Sequence, residues 1–271
     1  MAVPDRFGLL PAGPLLLTTE ETRLLWAFVH GDIMDAAVRS WLRASLGFCP
    51  RHTWAYAVVE IELWEAGVGG RGGHQPFDVC VLYEDLCRTL SARLGRPRGW
   101  GRRAEAALVP SRRCYLCAQL AGAPREGFAL GYANSNSAAL AAGANLLRHT
   151  RRWCEATADE WAPAACPACL AAAAGAAAGT HDAGARLCRL HLAEAVRRVA
   201  GDDARAGALL SAASARLASS AQGLTVLARS MTAAGAPADA RTEASWIEAL
   251  GFFGGWQFPA FLAGIRADGA P

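Results

Sequence analysis

The chain has 271 residues, 53 % of them hydrophobic and 19 % charged, which is enough apolar material for a packed core and argues against disorder. Its 27 basic residues, all of them Arg, stand against 24 acidic ones, and the net charge of +3 is too balanced to announce a nucleic-acid or membrane binder. The absence of Lys excludes a phosphate-binding P-loop, a pyridoxal Schiff base and a kinase site, each of which needs a lysine amine.

Met1 to Leu17 has no basic start before its apolar residues and is interrupted by Pro4, Pro11 and Pro14, unlike a secretory signal. The Ala-rich runs are broken before the roughly 18 apolar residues that a membrane span needs. A cytoplasmic protein with no membrane span is expected, in which the nine Cys stay reduced.

Thr18 and Glu21 have the spacing of a capping box, and Leu24, Leu25, Phe28 and Val29 stripe a first helix. The pattern restarts at Gly31-Asp32 with Met34, Val38, Trp41, Leu42 and Leu46, and Gly47 is placed to end that second helix, which is expected to form a hairpin with the first. Trp54, Val58 and Ile61 stripe a third helix whose other face carries Glu60, Glu62 and Glu65. Gly67 to Gly73 spells G-x-G-x-x-G, but it follows a helix where a dinucleotide fingerprint follows a strand, so it reads as a linker. Pro76 opens a fourth helix carrying Leu82, Leu86, Leu90 and Leu94.

Seven Arg and a single acid, Glu105, lie between Arg93 and Arg113 around Trp100. Asn134 to Ser137 can cap a helix running towards Trp161, and Asp202 the longest helix, with Leu210, Ala213, Leu217, Leu224, Ala228 and Met231 on one face and a kink expected at Gly223. After Pro237, Thr242 is expected to cap a last helix through Trp246 and Leu250, followed by an irregular tail beyond Gly254. No segment shows the alternation of a strand. The fold class read here is all-α, an irregular multi-helix bundle of hairpins stapled by Cys/His metal sites. Two modules are expected: residues 1–110 with one Cys-x-x-His, and residues 111–271 with a Cys-x-x-Cys and a Cys-x-x-His.

Four short pairs carry the chemistry: Cys49-x-x-His52, Cys114-x-x-Cys117, Cys166-x-x-Cys169 and Cys188-x-x-His191. One turn of chain at this spacing presents both side chains to one ion, and zinc takes four thiolate or imidazole ligands tetrahedrally. Eighteen residues separate Cys169 from Cys188, a length usual for structural zinc sites, so Cys166, Cys169, Cys188 and His191 form the leading set. Cys49, His52, Cys114 and Cys117 would make a second, but 61 residues part the two pairs and spacing offers no argument for their union. A rival arrangement joins Cys114 and Cys117 to Cys188 and His191, leaving Cys166 and Cys169 as a dithiol. One or two Zn2+ ions are therefore expected. Cys80, Cys87 and Cys154 read as buried small hydrophobes, and His30, His74, His149 and His181 as surface or loop residues, with His149 near Cys154 a substitute ligand.

Several segments resemble a family of uncharacterised bacterial proteins built from modules with an opening Cys-Pro-x-Cys, a helical hairpin and a closing Cys-x-x-His. They are the run Val38 to His52, Leu82-Tyr83-Glu84-Asp85-Leu86, Cys166-Pro167-Ala168-Cys169, Leu187-Cys188-Arg189-Leu190-His191 and Ser245-Trp246-Ile247-Glu248-Ala249-Leu250. The resemblance implies an all-helical, metal-stapled protein and no particular reaction. The chain departs from the pattern at Thr18-Thr19-Glu20-Glu21, where an opening Cys-x-x-Cys would stand; either the first site is lost, or Cys114 and Cys117 replace the missing pair, which requires the two segments to meet in the fold.

Three functions are compatible with these residues. The first is a non-catalytic, zinc-stabilised scaffold that binds a protein partner, since four protein ligands leave no open position for water. The second is a redox or metal-handling protein using a Cys-x-x-Cys dithiol, although no βαβ pattern surrounds either motif. The third is nucleic-acid binding through Arg93 to Arg113, with Trp100 for stacking. No H-E-x-x-H helix, G-x-S-x-G elbow or paired-carboxylate motif speaks for an enzyme, and no catalytic residue is assigned.

Overall fold

A computed structural model describes residues 13–68, 76–95, 105–123, 136–175 and 186–265, and among them every regular element is a helix. Helix α1 spans Thr19–His30, α2 Ala36–Ala44, α3 Pro50–Glu65, α4 Phe77–Leu94, α5 Tyr115–Leu120, α6 Ser137–Ala144 and α7 Arg148–Ala156. The second half continues with α8 Ala158–Trp161, α9 Pro167–Ala173, α10 Arg189–Arg198, α11 Asp203–Ser230, α12 Ala240–Glu243, α13 Ser245–Gly254 and α14 Gln257–Leu262. The linker reading of Gly67 to Gly73, together with His74, His181 and Trp100, falls wholly or mostly outside the described residues.

The first helix starts as its sequence demands. Thr18 Oγ1 accepts from Glu21 N, and Glu21 returns the bond to Thr18 N. The chain then bends through a 3-10 turn at Asp32–Met34, and Asp35 caps α2 by accepting from Ala37 N and Val38 N. The expected α1–α2 hairpin does not form. Helix α1 packs on α3, α5 and α6, and α2 on α4 and α5. Met34 is accordingly 76 % exposed rather than on the buried face, while Gly47, at φ +82°, ends the segment as expected.

Helix α3 is the axis of the molecule and is buried on every side, so Glu60 and Glu62 do not occupy a polar face. Their carboxylates cap other helices. Helix α4 begins at a proline that offers no capping side chain, and Glu60 takes its first amides, with Asp78 N on Oε1 and Val79 N on Oε2, both at 2.7 Å. Helix α7 begins behind Leu147, at φ +53° and without a side-chain cap; Glu62 Oε1 accepts from Thr150 N and Oγ1, each at 2.8 Å. Burial and the neighbouring Asp78 push the Glu60 carboxyl well above its usual range, and the unpaired N–H donors of the helix N-terminus satisfy its buried oxygens.

That second cap also explains why the helix expected to run from Asn134–Ser137 to Trp161 is broken into α6, α7 and α8. Asn136 caps α6 through Ala139 N. The chain turns at Asn145, whose side chain bonds both N and O of Leu17, and restarts under Glu62. Helix α11, started by Asp202, runs past Gly223 as one continuous element packed along α4 and α13. Gly223 is there for proximity: a Cβ would lie 2.3 Å from Ser245 Oγ. Asp239 rather than Thr242 caps the short α12, accepting from Thr242 N, and the tail expected to be irregular contains α14.

Candidate metal centres

The four Cys/His pairs share one local geometry. Cys49, Cys114, Cys166 and Cys188 are the N-cap residues of α3, α5, α9 and α10, and His52, Cys117, Cys169 and His191 stand three residues on, in the first turn. An extended N-cap followed by a helical turn brings side chains at these two positions to the same end of the helix, as a capping box does. Pro50 and Pro167 occupy the first helical position, where the missing N–H costs nothing.

The structure brings the pairs together two by two. Cys49, His52, Cys114 and Cys117 form one group and Cys166, Cys169, Cys188 and His191 another, with the donor atoms of each group within 4.8 Å of one another, so each group can hold a metal ion. In the first, His52 Nδ1 lies 3.3 Å from Cys49 Sγ, 3.5 Å from Cys114 Sγ and 3.3 Å from Cys117 Sγ, and the sulfur atoms of Cys49 and Cys117 are 3.8 Å apart. In the second, His191 Nδ1 lies 3.4, 3.5 and 3.2 Å from the sulfur atoms of Cys166, Cys169 and Cys188, and Cys169 and Cys188 are 3.6 Å apart. The rival grouping of Cys114 and Cys117 with Cys188 and His191 is not the one adopted. All nine cysteines are free thiols, and most of the cluster atoms are buried.

Behind the first cluster stands a carboxylate that sequence reasoning assigned only to helix capping. His52 Nε2 is 3.1 Å from Glu21 Oε1. Glu21 also accepts from Arg51 Nε at 2.7 Å, from Arg51 Nη2 at 3.0 Å and from Thr18 N at 2.9 Å. Burial opposes ionisation of Glu21, but His52, Arg51 and the Thr18 amide outweigh it and hold the carboxyl well below its usual range. With Nε2–H given to Glu21, Nδ1 is free to face the sulfur atoms. Among the described residues, no carboxylate plays this part for His191.

Without a metal, each imidazole takes the charge that the thiolates call for. Burial works against a charged His52, yet Cys117, Cys49 and Glu21 raise its pKa to about 11; for His191, Cys166 and Cys188 likewise overcome burial and raise it to about 10. A metal on Nδ1 replaces that proton, so binding competes with protons and weakens as the pH falls.

The other candidates divide as their surroundings dictate. Cys80, Cys87 and Cys154 are completely buried, and burial pushes their thiols up, as inert core residues require. His30, expected at the surface, is half-buried: its ring lies against Trp26 and Trp64 while Nδ1 meets the Trp26 carbonyl at 2.8 Å. His149 is half-buried and belongs to neither group. Of the basic stretch, Arg112 lies over the Trp41 ring at 3.7 Å, and the Arg113 carbonyl accepts from Trp41 Nε1. These contacts tie the stretch to α2 and anchor the approach to Cys114.

A cleft of about 460 Å³ lies beside the second group, bounded by Arg186, Arg216 and Arg241 and by Asp159, Glu160 and Glu248. Its charges are equal in number, Arg241 is already held by Glu248, and no Cys, His or Tyr lines it. No described helix is long and apolar enough to cross a membrane. No protein-family model, no curated protein and no solved structure matches the chain.

Proposed function

We propose that the protein is a non-catalytic helical scaffold stapled by two zinc ions, each in a Cys3His site, and that its outer surface serves a protein partner. The observation that carries this reading is ligand saturation: each group supplies four side chains around one point. For Zn–S of about 2.3 Å and Zn–N of about 2.0 Å, a tetrahedron has S···S edges of roughly 3.8 Å and S···N edges of roughly 3.5 Å. One S···S separation in each group, 3.8 and 3.6 Å, and the S···N separations of 3.2–3.5 Å fit that figure, with all donor atoms of a group within 4.8 Å of one another. A closed set of three thiolates and one imidazole leaves no position for a substrate or an activated water, which favours a structural over a catalytic ion.

Metal content per chain, measured on protein purified without added zinc, tests the reading. Two zinc ions are expected, with one lost in Cys117→Ser and the other in Cys169→Ser. A single ion, lost only in Cys169→Ser, would make the Cys114–Cys117 pair a redox dithiol, and no ion in the unaltered protein would end the zinc reading altogether. Glu21→Gln keeps an acceptor for the helix cap but removes the charge behind His52. It is expected to weaken zinc at the first site by about 10-fold in chelator competition and to leave the second unchanged; an equal loss at both sites would remove Glu21 from this role.

A further inference from the structure

The nine cysteines differ in access as much as in partners. Cys80, Cys87 and Cys154 lie in the core, and in the second cluster Cys166 and Cys169 are fully buried and Cys188 is 1 % exposed. Cys114 of the first cluster is buried as well. Only Cys49 and Cys117 are half-buried, and these two belong to one cluster. Their sulfur atoms are also in contact, 3.8 Å apart, although 68 positions separate them in the chain.

Oxidation of a cysteine requires that the oxidant reach its sulfur, and a disulfide requires a second sulfur close enough to displace the first product. Cys49 and Cys117 meet both conditions. Cys169 and Cys188, 3.6 Å apart, have the contact without the access, and Cys114 is a less accessible partner for Cys117 than Cys49 is. Cys49 caps α3 and Cys117 stands in the first turn of α5, so a bond between them joins the same two helices that the ion joins.

We propose that Cys49 and Cys117 form an oxidation site for hydrogen peroxide, closing to a disulfide that expels the ion from the first cluster while the second cluster keeps its own. The proposal rests on the zinc reading above and adds a reaction to that same site. One of the two thiolates attacks a peroxide oxygen; the O–O bond breaks, and the hydroxide that leaves takes a proton from solvent to become water. The other thiolate then attacks the sulfenic acid so formed. An S–S bond replaces the S–OH bond, and a second hydroxide leaves as water with a second solvent proton. The two sulfur atoms lose two electrons in all, and the peroxide gains them. Cys114 and His52 are then the only ligands left, too few for a zinc site, so the ion departs. Oxidation thus exchanges a metal staple between α3 and α5 for a covalent one.

The test treats the full, zinc-loaded chain with hydrogen peroxide and follows the ion with a chromogenic chelator and the thiols by peptide mass spectrometry. One ion of the two is expected to be released, in step with a Cys49–Cys117 disulfide, while Cys166, Cys169 and Cys188 stay unmodified. Dithiothreitol with added zinc should return the chain to two ions. The Cys117→Ser protein, which carries only the second ion, should keep it under the same treatment; should that variant fail to fold, the unaltered chain decides alone. Release of both ions in step, a Cys114–Cys117 disulfide, a sulfinic acid in place of the disulfide, or no release at all overturns the proposal and leaves the zinc reading intact. Absence of zinc from the untreated chain removes both inferences together.

Discussion

Stripping the ions with a chelator should lower the melting temperature by about 10 °C or more. An ion bound at a thousand times its dissociation constant stabilises the folded state by about 4 kcal/mol, and about 1 kcal/mol moves the midpoint by roughly 2–4 °C in chains somewhat shorter than this one. Position gives the effect its size. The first cluster fastens α5 to the N-terminus of α3, around which the core is built, and the second fastens α9 to α10. Helices α5 and α9 have six and seven residues, too few to persist without such an anchor. On the zinc reading, removing an ion would leave His52, Cys114, Cys166, Cys169 and Cys188 buried with only one another as partners. Acidification should act in the same direction, because every ligand must give up a proton to bind. Differential scanning calorimetry before and after chelation, with metal content measured on both samples, is the check. A verified metal-free sample that melts where the loaded one does would show that the clusters do not hold the fold.

Trp54→Ala should cost about 3–5 kcal/mol, the range for emptying a fully buried aromatic site. Trp54 is completely buried on α3, with its ring 5.6 Å from Phe258 and 6.4 Å from Trp246, so it joins α3 to both α13 and α14. Its Nε1 donates to the Gly255 carbonyl at 3.0 Å, an acceptor that the variant leaves buried and unpaired. The backbones cannot close over the gap without moving Gly254, where even a Cβ would come within 2.8 Å of Thr53 Cγ2. Urea unfolding should show a lower midpoint at an unchanged slope, since the exposed area of the unfolded chain hardly alters. A loss below about 1 kcal/mol would mean that the site collapses readily and that α13 and α14 do not depend on this residue.

The all-α class was legible because helices announce themselves within a few residues. The Thr18–Glu21 box, the Leu82–Leu94 spacing and the Asp202 cap each describe a local hydrogen-bond or packing pattern, and each is found where the sequence places it. Readings failed where a distant side chain replaced a local signal. Nothing near Leu147 suggests a helix start, because the cap is Glu62, 88 residues before Thr150 in the chain. Pro76 did announce the fourth helix, but no local residue marks its cap, which Glu60 supplies. Gly223 looked like a kink in one dimension and proves to be the seat for Ser245 in three.

The candidate centres divide along the same line. Each Cys/His pair was visible because an N-cap and the residue three further on are brought together by a single helical turn, which the x-x spacing encodes without help from the rest of the fold. Which pair meets which was not encoded locally. Sixty-eight positions separate Cys49 from Cys117, and only the packing of α1 and α2 against α5 brings their sulfur atoms to 3.8 Å. The supporting charge is just as distant in sequence: Glu21 reaches His52 from the start of α1. By itself the sequence determined the all-α class, the helix starts at Thr18, Pro76 and Asp202 and the four Cys/His pairs, because these depend on contacts a few residues apart. Only the tertiary structure decided how half-sites join and which charges surround them, because electrostatics and burial act through space between residues that the chain keeps far apart.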